Sequence, residues 1–165
     1  MRTNNIGMVG LAVMGRSLAL NMADHGYKVG GYNRSYAVTE HMLETWPHEN
    51  FTGYSTLEEL ITSLEKPRKV MLMVKAGKAV DAIIEQLIPL LEQGDMILDG
   101  GNSFFEDTIR REAYLKEQGL HYFGVGISGG EDGARFGPSI MPGGDKAAYE
   151  EIREILEAVA ARSEE

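Results

Sequence analysis

The sequence predicts a doubly wound α/β fold, a mostly parallel sheet with helices on both faces. Three observations carry that prediction. Short runs that are apolar throughout, such as "KVMLMV" (69–74), alternate with stretches of helical periodicity; strands buried on both faces read this way, and only covering helices bury both faces. A glycine-punctuated turn, "GLAVMG" (10–15), separates the first such run from the first helical stretch. The 165 residues, 43% of them apolar, suffice for one ordinary core and are too few for two full domains.

Taken in order, "NIGMVG" (5–10) reads as a buried strand ending in glycine. The helix Gly15 to His25 follows, with Leu18 and Met22 on one face and Gly26 as its stop. "KVGGYN" (28–33) is a second strand. Ser55 and Glu58 have capping-box spacing ahead of Leu57, Leu60, Ile61 and Leu64, and Pro67 ends that helix before the third clear strand, "KVMLMV". Val80, Ile83, Ile84, Leu87 and Leu91 line the next helix, and "DMILDGG" (95–101) reads as a strand. Phe104 to Gln118 form a helix ended by Gly119, "LHYFGVG" (120–126) is a further strand, and "GPSIMPGG" (137–144) builds an edge strand and turn. The last helix runs from an Asp145 cap through Tyr149, Ile152, Ile155, Leu156 and Val159 before the polar "RSEE". No internal repeat, low-complexity segment or interdomain linker interrupts this order.

Composition removes several classes of function. With Lys+Arg 16 against Asp+Glu 25 the formal charge is -9, so neither nucleic acid nor an anionic membrane is the expected partner, since both need a basic face. An anionic ligand must then be held by local features. The absence of cysteine excludes disulfides, thiolate metal sites and a cysteine nucleophile. His25, His41, His48 and His121 are scattered without ligand spacing, so no metal is expected. No apolar run approaches the roughly 20 residues of a spanning helix, and the N-terminal residues enter a strand without a signal-peptide core. The expected location is cytoplasmic.

The turn Gly10–Gly15 follows a strand and opens a helix, the context in which a glycine pattern becomes a phosphate-binding turn of a Rossmann-type sheet. Gly10 permits the tight turn and Gly15 the close packing of helix and strand, while the helix N-terminus offers free N–H groups to a pyrophosphate. Ala12 replaces the middle glycine, and its methyl pushes the pyrophosphate slightly outward. At the end of the second strand an NAD enzyme places an acidic residue on the ribose 2′-hydroxyl. Here the chain reads "YNRS", with Asn33, Arg34 and Ser35 as donors and no carboxylate between Val29 and Tyr36. A guanidinium pairs with a 2′-phosphate and stacks on adenine, so the expected cofactor is NADP. Met14, inside the turn, is placed to lie under the nicotinamide.

Together "GLAVMG", "YNRS", "MLMVKAG" (71–77), "LDGGNSFFEDTIRR" (98–111) and "GISGGEDGARFGPSIMPGG" (126–144) resemble the coenzyme domain of decarboxylating 6-phosphogluconate dehydrogenases, across essentially the whole chain. The resemblance implies that residues 1–165 are the dinucleotide-binding (Rossmann) domain of an NADP-dependent enzyme of the pentose phosphate pathway and gluconate utilization. That enzyme converts 6-phosphogluconate to ribulose 5-phosphate, CO2 and NADPH. It further implies cofactor contacts at Gly10, Leu11, Ala12, Val13, Met14, Gly15, Asn33, Arg34 and Ser35, nicotinamide contacts at Val74, Lys75 and Ala76, and a residue shared by cofactor and substrate at Asn102. Substrate contacts follow at Ser128, Gly129 and Gly130. Members of the family are homodimers and continue into an all-helical domain that carries the general-base lysine and general-acid glutamate. This chain stops at Glu165, before either, so no catalytic residue is assigned within it, and NADP binding with little or no turnover is expected.

The residues make chemical sense of that likeness. Hydride transfer from a carbinol carbon requires a polyhydroxy carboxylate to be held still. "ISGGE" (127–131) supplies bare backbone at Gly129 and Gly130 beside the Ser128 hydroxyl, and the Asn102 amide both donates and accepts. Glu131 and Asp132 are adjacent in sequence, which turns their carboxylates apart on a strand; Glu131 is in reach of a nicotinamide carboxamide. Two alternatives fit the same turn: a non-catalytic dinucleotide-sensing module, and a β-hydroxyacid dehydrogenase or imine reductase domain. The latter families lack the full "GGNSFFEDTIRR" segment.

Overall fold

The computed structural model describes residues 3–101, 104–128, 139–143 and 146–159. Seven strands form one sheet: β1 (Ile6–Val9), β2 (Val29–Tyr32), β3 (Phe51–Tyr54), β4 (Lys69–Leu72), β5 (Met96–Asp99), β6 (His121–Ser128) and β7 (Ser139–Gly143), in the order β3-β2-β1-β4-β5-β6-β7. The first six run parallel, and β7 pairs antiparallel with β6, Ser128 opposite Ser139. Among the described residues six α-helices accompany the strands: α1 (Val13–Asp24), α2 (Tyr36–Thr45), α3 (Leu57–Thr62), α4 (Lys78–Leu87), α5 (Phe105–Glu117) and, after β7, α6 (Lys146–Val159).

The period-2 alternation of strand side chains divides the core into two layers. Met8, Met71, Leu98 and Phe123 face one side, where Leu18 and Met22 of α1, Met42 of α2 and Ile152, Ile155, Leu156 and Val159 of α6 cover them. Val9, Val70, Leu72, Ile97 and Tyr122 face the other, under Leu57, Leu60 and Ile61 of α3, Val80, Ile84 and Leu87 of α4 and Leu115 of α5. The sheet is doubly wound, as the alternating pattern predicts. The Asn21 amide on α1 also donates to the Val159 carbonyl at 3.1 Å, which ties the first helix to the last.

Several details differ from the sequence reading. Residues 36–54, to which periodicity assigns no element, hold α2 and β3, so "KVMLMV" is the fourth strand and not the third. Only Thr39 and Met42 of α2 are buried, too thin a stripe to register as amphipathic, and β3 is an edge strand with one fully buried residue, Phe51. The helix expected to reach Leu91 ends at Leu87 and passes into a 3₁₀ turn at Ile88–Leu90, where Pro89 lacks the donor an α-helix needs. The N-cap sits one residue later than Ser55: Thr56 caps α3, and its hydroxyl accepts from the Glu59 N–H at 3.1 Å. Thr56→Ala is therefore expected to cost about 1 kcal/mol and lower the thermal midpoint by about 2–4 °C, with Ser55→Ala leaving it unchanged. Equal shifts for the two variants would return the cap to Ser55. Asp145, the expected cap of the last helix, lies outside the described residues.

Candidate coenzyme-binding site

The strand order reverses at β1, with β2 and β3 on one side and β4 to β7 on the other, so the carboxyl ends of β1 and β4 form a topological switch point. The turn from β1 into α1 lies at that crevice. Gly10 has φ +98, a conformation that side-chain-bearing residues rarely adopt, and its N–H donates to the Tyr32 carbonyl at 2.9 Å. Gly15 is buried directly against the turn: a Cβ there would overlap the Gly10 carbonyl oxygen and lie 3.1 Å from Cβ of Met73. The missing side chain lets α1 start flush against the sheet. Leu11 is buried and its N–H donates to Oδ1 of Asn33 at 2.9 Å, while the Asn33 amide donates to the Ser35 carbonyl at 3.1 Å. Asn33 therefore spends these bonds bracing the turn against the end of β2, a role beyond the phosphate donor that sequence suggests.

Ala12 is the N-cap of α1, extended at φ −68 and ψ −176, and has no side-chain oxygen to cap the helix. The first intrahelical bond runs from Arg16 N–H to the Ala12 carbonyl at 2.9 Å, so Val13, Met14 and Gly15 precede it with no intrahelical acceptor for their N–H groups. Both Ala12 and Val13 are exposed. Helix α2 begins in the same way, with an N-cap, Ser35, that makes no side-chain cap bond. Neither α1 nor α2 has an acidic residue in its first turn, whereas α3 has Glu58 and Glu59, α4 has Asp81 and α5 has Glu106 and Asp107. Carboxylates in a first turn compensate the positive helix end and would repel an anion. The two helices that open on the crevice keep that end available.

Arg34 and Ser35 are exposed at the end of β2, between these two helix ends. Two exposed polar side chains at the mouth of α2 suit a phosphate monoester, and Arg34 forms no ion pair with any described residue. Arg16, one turn into α1, stacks 4.0 Å over the Trp46 ring.

On the other side of β1 a cavity of about 390 Å³ opens, of the size that holds one end of a nucleotide. It is walled by Ala12 to Gly15, by Met73 and Val74 after β4, by Gly100 and Gly101 after β5, and by Ile127 of β6. The structure thus brings Val74 and Met14 together with the glycine turn. Lys75 is exposed and Ala76 half-buried on the β4–α4 turn, outside the cavity wall. Ser128 ends β6, one residue beyond Ile127. Asn102, Gly129, Gly130, Glu131 and Asp132 lie outside the described residues. Among the described residues no group of three or more His, Asp or Glu is placed to hold a metal ion, and no helix is long and apolar enough to cross a membrane.

Sequence reasoning missed the polar residues beneath this floor. Asp99, 2% exposed, accepts from the Gly101 N–H at 3.0 Å through one carboxylate oxygen and from the Tyr122 hydroxyl through the other. Burial, then the hydrogen bond to Asp99 and the charge of that carboxylate, push the Tyr122 phenol well above its ordinary range, so it remains a donor. Arg111 of α5, 1% exposed, lies 3.6 Å from the same carboxylate. The "DGG" and "TIRR" segments were visible in the sequence; their contact across the β5–α5 connection was not.

The family model described as the NAD binding domain of 6-phosphogluconate dehydrogenase matches residues 5–164. The chain belongs to that family. The NADP(+)-dependent decarboxylating 6-phosphogluconate dehydrogenase of Bacillus subtilis is 51% identical over 98% of this chain and 34% of its own length. The NAD(+)-dependent decarboxylating 6-phosphogluconate dehydrogenase of the same organism is 54% identical over 96% of this chain and 34% of its own length. Among solved structures, Plasmodium falciparum 6-phosphogluconate dehydrogenase, studied in its apo form, with its cofactor NADP+ and with its substrate 6-phosphogluconate, superposes with a TM-score of 0.90 at 48% identity, covering 96% of this chain and 34% of that one. The chain therefore spans about a third of the length of the relatives it matches. Overall identity does not separate the two nicotinamide cofactors, since the two kinds of relative differ by only three percentage points, 51% against 54%. The residues at the end of β2 must make that distinction.

Proposed function

We propose that this chain binds NADP and acts as the coenzyme domain of a decarboxylating 6-phosphogluconate dehydrogenase, with residues 1–165 forming one dinucleotide-binding domain. The observation that carries the choice of cofactor is the exposed Arg34–Ser35 pair beside an α2 end free of acidic residues, with no carboxylate between Val29 and Tyr36. In this reading the N–H groups of Val13, Met14 and Gly15 take the pyrophosphate, and Arg34 and Ser35 take the 2′-phosphate. Gly10, Leu11, Ala12 and Asn33 shape the turn. Val74, Lys75, Ala76 and Asn102 flank the nicotinamide half. Asn102, Ser128, Gly129 and Gly130 hold 6-phosphogluconate. Bound NADP supplies a hydride acceptor at this edge of the sheet; the protein's part is to fix its orientation and to keep the substrate carbinol facing it. No proton-transfer residue is assigned within these 165 residues.

Arg34→Ala tests the reading. A charge-assisted contact to phosphate is worth about 2 kcal/mol, so NADP affinity measured by calorimetry is expected to fall about thirtyfold, with NAD affinity changed less than about twofold. A native chain that binds NAD more tightly than NADP would sink the assignment of cofactor.

A further inference from the structure

Arg111 projects from α5 into the interior and reaches both the start of α4 and the end of β5. Its Nε donates to Oδ1 of Asp81 at 2.9 Å, and its Nη2 donates to Oδ2 of Asp81 at 3.3 Å and to the Gly77 carbonyl at 3.1 Å. Its Nη1 lies 3.6 Å from Oδ2 of Asp99. Asp81 and Gly77 belong to the start of α4, immediately after the turn Val74–Gly77. Asp99 ends β5, and its second carboxylate oxygen accepts from the Gly101 N–H. One guanidinium thus joins the turn after β4 to the turn after β5. The two turns also touch directly, since a Cβ on Gly101 would overlap the Val74 carbonyl oxygen.

The Arg111–Asp99 pair is buried on both sides and adds little net stability, because the cost of desolvation offsets the attraction, while Asp81 keeps 41% of its side chain exposed. The geometry of the guanidinium, by contrast, is highly determined: a planar fork with five donors fixes the relative position of every acceptor it reaches. In a doubly wound sheet the adenosine half of a dinucleotide lies over β1 and β2 and the other half over β4 and β5, across the switch point. The turns that Arg111 joins are those under the second half.

We infer that Arg111, acting through Asp81, Gly77 and Asp99, is a positioning residue that holds the Val74–Gly77 turn and the Gly100–Gly101 backbone in the register needed to bind the nicotinamide half of the coenzyme. The inference rests on the NADP reading above and adds to it a residue that touches no ligand. Burial opposes the Arg111 charge most strongly, yet the hydrogen bond to Asp81 leads the contributions that outweigh it, and the guanidinium stays ionised and forked.

The test compares NADP with adenosine 2′,5′-bisphosphate, which carries the adenosine, the 2′-phosphate and a 5′-phosphate but no nicotinamide half. In Arg111→Lys a single ammonium cannot reach both turns, and the NADP dissociation constant is expected to rise about tenfold, with that of the bisphosphate held within about twofold. Loss of both ligands in parallel, or of neither, overturns the inference, because a general loss of structure has no reason to spare the adenosine half. Tyr122→Phe, which removes only the hydroxyl donated to Asp99, is the milder variant should the lysine protein fail to fold. The same split at about threefold is expected there, and identical behaviour of both ligands overturns the inference equally. A native chain that binds neither compound overturns the coenzyme reading and this inference with it; native binding of both without a split in the variants overturns the role of Arg111 alone.

Discussion

With Ala12→Asp, the thermal midpoint is expected to rise by about 2–4 °C while NADP affinity falls at least about a hundredfold. The two effects have separate causes. Ala12 already has the extended backbone of an N-cap but no side-chain acceptor, and α1 has no acidic residue in its first turn. An aspartate at this position accepts from the free N–H groups and compensates the helix dipole, a gain of about 1 kcal/mol. It also sets a fixed negative charge where the pyrophosphate would sit. At about 4 Å and an effective dielectric near 20, two unit charges repel by about 4 kcal/mol, and the donors the ligand needs are already taken. Ala12→Ser separates the two causes, since it caps without charge and should keep most of the thermal gain with a smaller loss of affinity. If Ala12→Asp binds NADP as tightly as the native chain, the coenzyme phosphates are not at this helix end.

That opposition of stability and binding explains a pattern spread over the fold. Helices α3, α4 and α5 place acidic residues in their first turns, and α3 adds a threonine cap. Helices α1 and α2 have neither; α6 also has no acidic residue in its first turn, but the residue that precedes it, Asp145, lies outside the described residues. The uncompensated ends of α1 and α2 each forgo about 1 kcal/mol, and both lie beside the crevice where the strand order reverses. Local rules of helix design are broken where a ligand is to complete them.

How much of this was legible in the sequence depended on the range of the interaction. Strands β1, β4, β5 and β6 could be read because helices on both faces force them to be apolar at almost every position, as in "KVMLMV". The stripe Ile152, Ile155, Leu156 and Val159 was read correctly because α6 packs on one face only. β3 and α2 were missed because an edge strand of four residues and a helix with two buried positions leave too little periodicity to detect. The cap of α3 was off by one because Ser55 and Thr56 are both competent caps, with Glu58 and Glu59 each three residues on; only the backbone chooses between them. In the site, the glycine turn and Arg34 follow from local rules. The bracing of Leu11 by Asn33 spans 22 residues and the reach of Arg111 to Asp81 spans 30, and nothing in residue type announces such partners.

Gly15→Ala sets two rules against each other and so gives the sharpest test of the turn. Within an exposed helix, replacing glycine with alanine stabilises by about 1 kcal/mol through the lost freedom of the unfolded chain. At Gly15 the added methyl would overlap the Gly10 carbonyl oxygen, with Cβ of Met73 at 3.1 Å behind it. Neither neighbour can yield cheaply, because Gly10 is backbone held by the hydrogen bond to Tyr32 and Met73 N–H is bonded to the Val9 carbonyl at 2.8 Å. The first turn of α1 must lift off the sheet, carrying the Ala12–Met14 backbone with it. Overpacking against fixed backbone costs about 3 kcal/mol, so urea unfolding should show a net loss of about 2 kcal/mol or more in place of the helical gain. The same shift moves the N–H groups off the pyrophosphate, and NADP binding by calorimetry should fall below detection even at temperatures where the variant is folded. A Gly15→Ala chain that is stabilised and still binds NADP would mean that α1 does not begin in contact with Gly10, and the phosphate turn would have to be placed elsewhere.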